Sequence, residues 1–96
     1  MGGDWKEMLY AAEKGDLDLL TYHIKMGADP NYQHPEFLTT PLIESIRTGQ
    51  LHCAKYLLDN GADPTIKEAF GPHTPLALAK FLKNKEAIKL VQAYLP

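Results

Sequence analysis

Cysteine is nearly missing from this sequence. Cys53 stands alone among 96 residues, so no internal disulfide can form and nothing in cysteine usage argues for an oxidising compartment. No apolar run approaches the ~18 residues that a membrane-spanning helix needs. Charge of one sign is missing as well: 10 basic and 12 acidic residues are interspersed, for a formal net charge of -2. A chain without a basic field has nothing to hold a phosphate backbone, which excludes nucleic acid as an expected partner. Met1-Gly2 is not read as a lipid anchor, because the usual pattern wants Ser or Thr at the sixth position and Lys6 stands there. These absences leave a cytosolic protein with no membrane partner as the default expectation.

Reaction chemistry is equally sparse. The chain has no Gly-x-Ser-x-Gly elbow, no Gly-rich phosphate loop and no obvious pair of carboxylates for acid–base work. His23, His34, His52 and His73 show no pair at metal-ligand spacing, and His52 and Cys53, as neighbours on a helix, point in different directions. No catalytic residue, cofactor-binding residue, metal ligand or cofactor is therefore expected, and the chain is not read as an enzyme. A small buried thiol is the simpler account of Cys53.

What the sequence does have is an internal period. Thr40-Pro41-Leu42 returns 34 positions later as Thr74-Pro75-Leu76, and Gly27-Ala28-Asp29-Pro30 returns at the same step as Gly61-Ala62-Asp63-Pro64. Gly15 and Gly49, Leu17 and Leu51, and Tyr22 and Tyr56 keep the same spacing. A shared step across unrelated residue types marks repeated supersecondary units, each too small to bury its own apolar face.

The hexapeptides Thr40-Pro41-Leu42-Ile43-Glu44-Ser45 and Thr74-Pro75-Leu76-Ala77-Leu78-Ala79 resemble the Thr-Pro-Leu-His-x-Ala signature of ankyrin repeats, although neither has the histidine. The resemblance covers nearly the whole chain. It implies an all-α ankyrin-repeat solenoid: three stacked helix-turn-helix units, about 4–27, 40–61 and 74–95, with two projecting hairpin-like fingers, about 28–39 and 62–73, in a single domain over 1–96. Both fingers depart from the family pattern, which usually carries Gly two residues before the Thr-Pro, where this chain has Leu38 and Pro72. The resemblance also makes Asn31 a match for the finger asparagine that can be hydroxylated in animal members of the family.

Taken in order, the residues support the same units. Asp4 is a reasonable cap for a first helix with Met8, Ala11 and Ala12 on its apolar stripe. Gly15 permits a reversal and Asp16 caps a second helix that buries Leu17, Leu20 and Ile24 before Gly27 ends it. His23, in register with Leu57 and Val91, belongs on the packed side as a locally hydrogen-bonded histidine. Thr40 caps the next helix with Pro41 at its first position, where no amide hydrogen is needed. Its stripe is Leu42, Ser45 and Ile46, and after Gly49 a second helix packs Leu51, Ala54, Leu57 and Leu58. In the last unit Leu76, Ala79, Ala87, Ile88 and Val91 are expected inside, while Lys83 takes the place of the turn glycine and must tolerate a strained dihedral.

Stacked units hold their first helices and fingers side by side as one concave face. Helix spacing of about 8–10 Å gives a face on the order of 700 Å², close to the ~800 Å² per partner of a standard protein interface. The expected partner is a protein, met by Tyr10, Glu13, Glu44, Arg47, Leu78 and Phe81 on first helices and by Tyr32, Phe37, Ile66 and Phe70 on the fingers. Aromatic residues and Arg head that set because they most often anchor interfaces. The alternative for the phenylalanines is that Phe37 and Phe70 fold back on their own loops and Phe81 packs under the end unit. The expected function is a non-catalytic protein-binding module. A small intracellular inhibitor or immunity-type protein blocking one enzyme, or a self-associating fragment of a larger ankyrin array, are its alternatives, with the chain a monomer or weak homo-oligomer.

Overall fold

Six α-helices joined by tight turns and two long loops make up residues 4–69 and 71–96, the part described by the computed structural model. The N-terminal Met1-Gly2 reading and the candidate role of Phe70 fall outside these residues. The helices are α1 (Trp5–Lys14), α2 (Leu17–Lys25), α3 (Pro41–Arg47), α4 (Leu51–Asp59), α5 (Pro75–Phe81) and α6 (Lys85–Gln92), and the described residues contain no strand. This is the all-α stack of three helix pairs that the resemblance implied.

Side-chain caps start five of the six helices. The Asp4 carboxylate accepts from the Lys6 and Glu7 amides, Asp16 from Leu19, Thr40 from Ile43, Thr74 from Ala77 and Asn84 from Ala87. Gln50 precedes α4 without a capping bond, because its side chain is turned onto Gly15 of the previous unit. Gly15 has φ 83°, which favours glycine, and a Cβ there would stand 2.3 Å from Gln50 Oε1 and displace that side chain. The same seam is closed by Thr48 Oγ1 donating to Glu13 O at 2.9 Å and by His52 Nε2 bonding Gly15 O at 2.9 Å.

Two non-glycine residues take left-handed backbone. Lys83, at φ 57°, does what Gly15 and Gly49 do in the earlier units, as the sequence anticipated. Leu38, at φ 60°, stands where the family pattern has its finger glycine and adopts the conformation glycine would favour. Pro72 cannot, since its ring fixes φ, so the second finger closes differently, with Glu68 N–H donating to His73 O at 3.0 Å.

The first helices pack in a row, α1 on α3 on α5, and α2 packs on α4. Met8, Leu20, Leu42, Ile43, Ile46, Leu57 and Val91 are essentially sealed in the core this creates. Each such side chain contributes about 1.5–3 kcal/mol by leaving water. Leu76 and Ile88 are half-buried rather than buried, and so are Leu17, Ile24 and Leu51. Leu42, in register with Leu76, is covered by the third unit, whereas nothing described stacks over Leu76. On that same side Lys80 replaces Ile46 and Gln92 replaces Leu58, and both are exposed where their counterparts are buried. His23 is buried as expected: its Nδ1 accepts the Asp4 amide hydrogen at 3.1 Å and its Nε2 faces Glu7 Oε1 at 3.3 Å.

Candidate functional site

Successive first helices and the finger between them frame an open groove of about 690 Å³. It brings together five of the residues expected to meet a partner: Tyr10 and Glu13 from α1, Glu44 and Arg47 from α3, and Phe37 from the first finger. They converge because positions 10 and 44 and positions 13 and 47 are each one period apart, so packing α1 on α3 sets each pair side by side. Lys6, Leu9, Leu38, Thr39, Glu68 and Gly71 complete the lining.

At the centre lies an ion-pair network that ties a helix to a finger. Arg47 Nε sits 3.1 Å from Glu44 Oε2, and Arg47 Nη2 is bonded to Glu68 on the second finger. Thr39 Oγ1 donates to Glu44 Oε2 at 2.8 Å, and His73 Nδ1 lies 3.4 Å from the second oxygen of Glu68. Partial burial opposes the Arg47 charge, but the bonds from Glu68 and Glu44 outweigh it and hold its pKa above the usual guanidinium value.

The first finger folds its aromatics against α1. Trp5 stacks on His34 at 4.3 Å between ring centres, with Tyr32 at 5.5 Å and Phe37 at 5.4 Å. Phe37 is nonetheless 46% exposed and carries the Lys6 ammonium 5.9 Å above its ring. It thus leans on its neighbours and faces the groove at once, between the two alternatives set out for it. Phe81 does not pack under the end unit: it is 70% exposed, with its ring centre 5.1 Å from that of His73, and it is not part of the groove lining. Ile66 is half-buried on the second finger, away from the groove lining.

Leu78 is a correction. The register with Tyr10 and Glu44 put it on the concave face, but it is 1% exposed and belongs to the core. The position leans inward in the second unit as well, where the Glu44 side chain is 13% exposed, while Tyr10 at the same place in the first unit stays 56% exposed. A long carboxylate can still reach outward from it, whereas an aliphatic side chain settles into the packing. Glu68, Leu38 and Trp5 were missed. Opposite charge between Arg47 and the second finger was a signal for Glu68; Leu38 had none, since its aim depends on a left-handed dihedral.

Among the described residues no group of three His, Cys, Asp or Glu side chains is placed to share a metal ion. Burial pushes the Cys53 thiol pKa up, with Asp16 adding to it, which keeps the sulfur protonated and a poor nucleophile. No helix among the described residues is long and apolar enough to cross a membrane.

Comparison with known proteins agrees with this architecture. Residues 8–94 match the family described as ankyrin repeats in three copies. The chain is 33% identical over 88 residues to the ARF GTPase-activating protein GIT1 of Homo sapiens, covering 91% of this chain and 11% of that protein. It is 36% identical over 62 residues to the palmitoyltransferase AKR1 of Lachancea kluyveri, covering 65% of this chain and 8% of that protein. The 2-5A-dependent ribonuclease of Homo sapiens is 32% identical over 72 residues, 75% of this chain and 10% of its own length. The chain thus spans about a tenth of the length of the curated relatives it matches. With a 34-residue period, three capped helix pairs stacked in a row and a family match over residues 8–94, the chain belongs to the ankyrin-repeat family.

Proposed function

We propose that residues 1–96 act as one non-catalytic recognition domain, in the cytosol, that holds a partner protein against its concave face. Ankyrin repeats are in general protein-interaction modules, and the observation that carries the reading here is the groove of about 690 Å³ with Tyr10 and Phe37 exposed on its wall. Aromatic side chains give large contact area with few rotatable bonds, so they anchor interfaces at low entropic cost. The groove favours occupancy over reaction, since Glu44 and Glu68 are engaged with Arg47 and the Cys53 thiol is buried elsewhere.

Affinity capture with the purified chain, read by mass spectrometry, tests it. A protein retained by the wild type should be lost with Phe81→Ala and Arg47→Glu, each checked for intact helicity by circular dichroism. Unchanged retention by both folded variants would sink the concave-face assignment.

A second reading is self-association or continuation of the array at the third unit, favoured by the exposed Phe81 and Leu82. Lys80 and Gln92 on the adjoining stacking side weigh against it, because burying an unpaired ammonium there is costly. A concentration-independent monomer in light scattering would remove this second reading.

A further inference from the structure

The groove is chemically lopsided, and this bears on what kind of partner segment it takes, given the concave-face reading above. One part of its lining is apolar, made of Leu9, Tyr10 and Phe37. The same lining holds three carboxylates, Glu13, Glu44 and Glu68, and one guanidinium, Arg47. Arg47 is held by two of them, through Nε to Glu44 at 3.1 Å and through Nη2 to Glu68. Its charge is already met, and three carboxylates against Arg47 and Lys6 leave the lining with a surplus of one negative charge. Glu13 forms no side-chain bond among the described residues, and Glu44 bonds Thr39 and Arg47 through Oε2, with no bond recorded among them at Oε1.

Among the described residues neither nearby lysine forms an ion pair with these carboxylates. Lys6 lies over the Phe37 ring and is seven residues from Glu13, which is about 10 Å along α1. Lys14 lies 5.8 Å over the Tyr10 ring and is not part of the groove lining.

We propose that this groove accepts a segment of a partner protein in which a lysine or arginine stands beside an aromatic or large aliphatic residue. The apolar group lies on the Leu9, Tyr10 and Phe37 wall, and the cation reaches the free oxygens of Glu13 and Glu44. An anionic segment is disfavoured, because the one guanidinium it would need must first be released by two carboxylates. A partly enclosed apolar wall lowers the local dielectric and strengthens the sign preference.

The test uses two probes with the same hydrophobe and opposite charge, phenylbutylammonium and phenylbutyrate, titrated into the 15N-labelled chain and followed by amide chemical shifts. The ammonium should perturb Tyr10, Glu13 and Glu44 and bind more tightly than the carboxylate. Glu13→Gln should weaken the ammonium by about two- to fivefold, as expected for one exposed ion pair, and leave the carboxylate unchanged or improved. Equal affinities, tighter phenylbutyrate, or shifts clustered away from the groove would overturn the proposal. Its failure is separable from that of the binding-face reading: partner capture lost in Phe81→Ala and Arg47→Glu would still uphold the face while the cation preference fell.

Discussion

Lys83 sits at φ 57° in the turn that Gly15 and Gly49 make at φ 83° and 77°. A left-handed non-glycine residue costs roughly 1–2 kcal/mol, while glycine costs about 0.5–1 kcal/mol in unfolded-state freedom, so the exchange favours glycine by a small margin. Lys83→Gly is expected to stabilise the fold by roughly 0.5 kcal/mol, read as a higher urea midpoint at unchanged slope. A lower midpoint would mean that the lysine makes a compensating contact worth more than the strain. Leu38 carries the same backbone burden without sharing the turn, and its side chain lines the groove. There the strained dihedral aims a residue at the site, and the same substitution would remove part of the wall.

The fingers are joined to the next unit by side chains more than by pairing of their backbones. Asn31 Nδ2 donates to Gly61 O at 2.9 Å, and Asn31 Oδ1 accepts the Asp63 amide hydrogen at 2.7 Å, so one amide bridges the base of both fingers. Gln33 adds a bond to Lys67 O at 3.2 Å, and the Ala69 amide donates to Leu38 O at 3.1 Å. Asn31→Ala should cost about 1–2 kcal/mol, since two backbone groups lose their partner, and should raise hydrogen exchange in both fingers together. Faster exchange confined to the first finger would contradict a shared anchor. Thr65, at the matching place one unit on, turns back to bond Asp63 Oδ1 instead, and those bonds hold the Asp63 carboxylate below its usual pKa.

At the scale of the whole molecule, three units are about the minimum that stacking stabilises, and among the described residues only the middle one has a unit on both sides. A polar residue on the outer side of an end pair then stands exposed where the middle pair buries an apolar one. Lys80 and Gln92, in register with buried Ile46 and Leu58, do this at the third unit. Restoring the interior residues with Lys80→Ile and Gln92→Leu should expose a continuous apolar patch beside Leu76 and Ile88 and drive dimerisation in sedimentation experiments at tens of micromolar. A strictly monomeric double variant would show that this side is not a stacking surface.

Residue identity alone determined the period, five side-chain caps, the turns at Gly15, Gly49 and Lys83 and most of the buried stripes, because these depend on backbone geometry and contacts within a few residues. Register also set Tyr10 beside Glu44 and Glu13 beside Arg47, and these four residues line one groove. Only the tertiary structure decided that Leu78 is inside, that Phe81 stands in solvent, and that Glu68 crosses from the second finger to Arg47. Those outcomes turn on rotamers and on which neighbouring unit covers a position, and a repeat written in one dimension carries the same register whether its neighbour is protein or water.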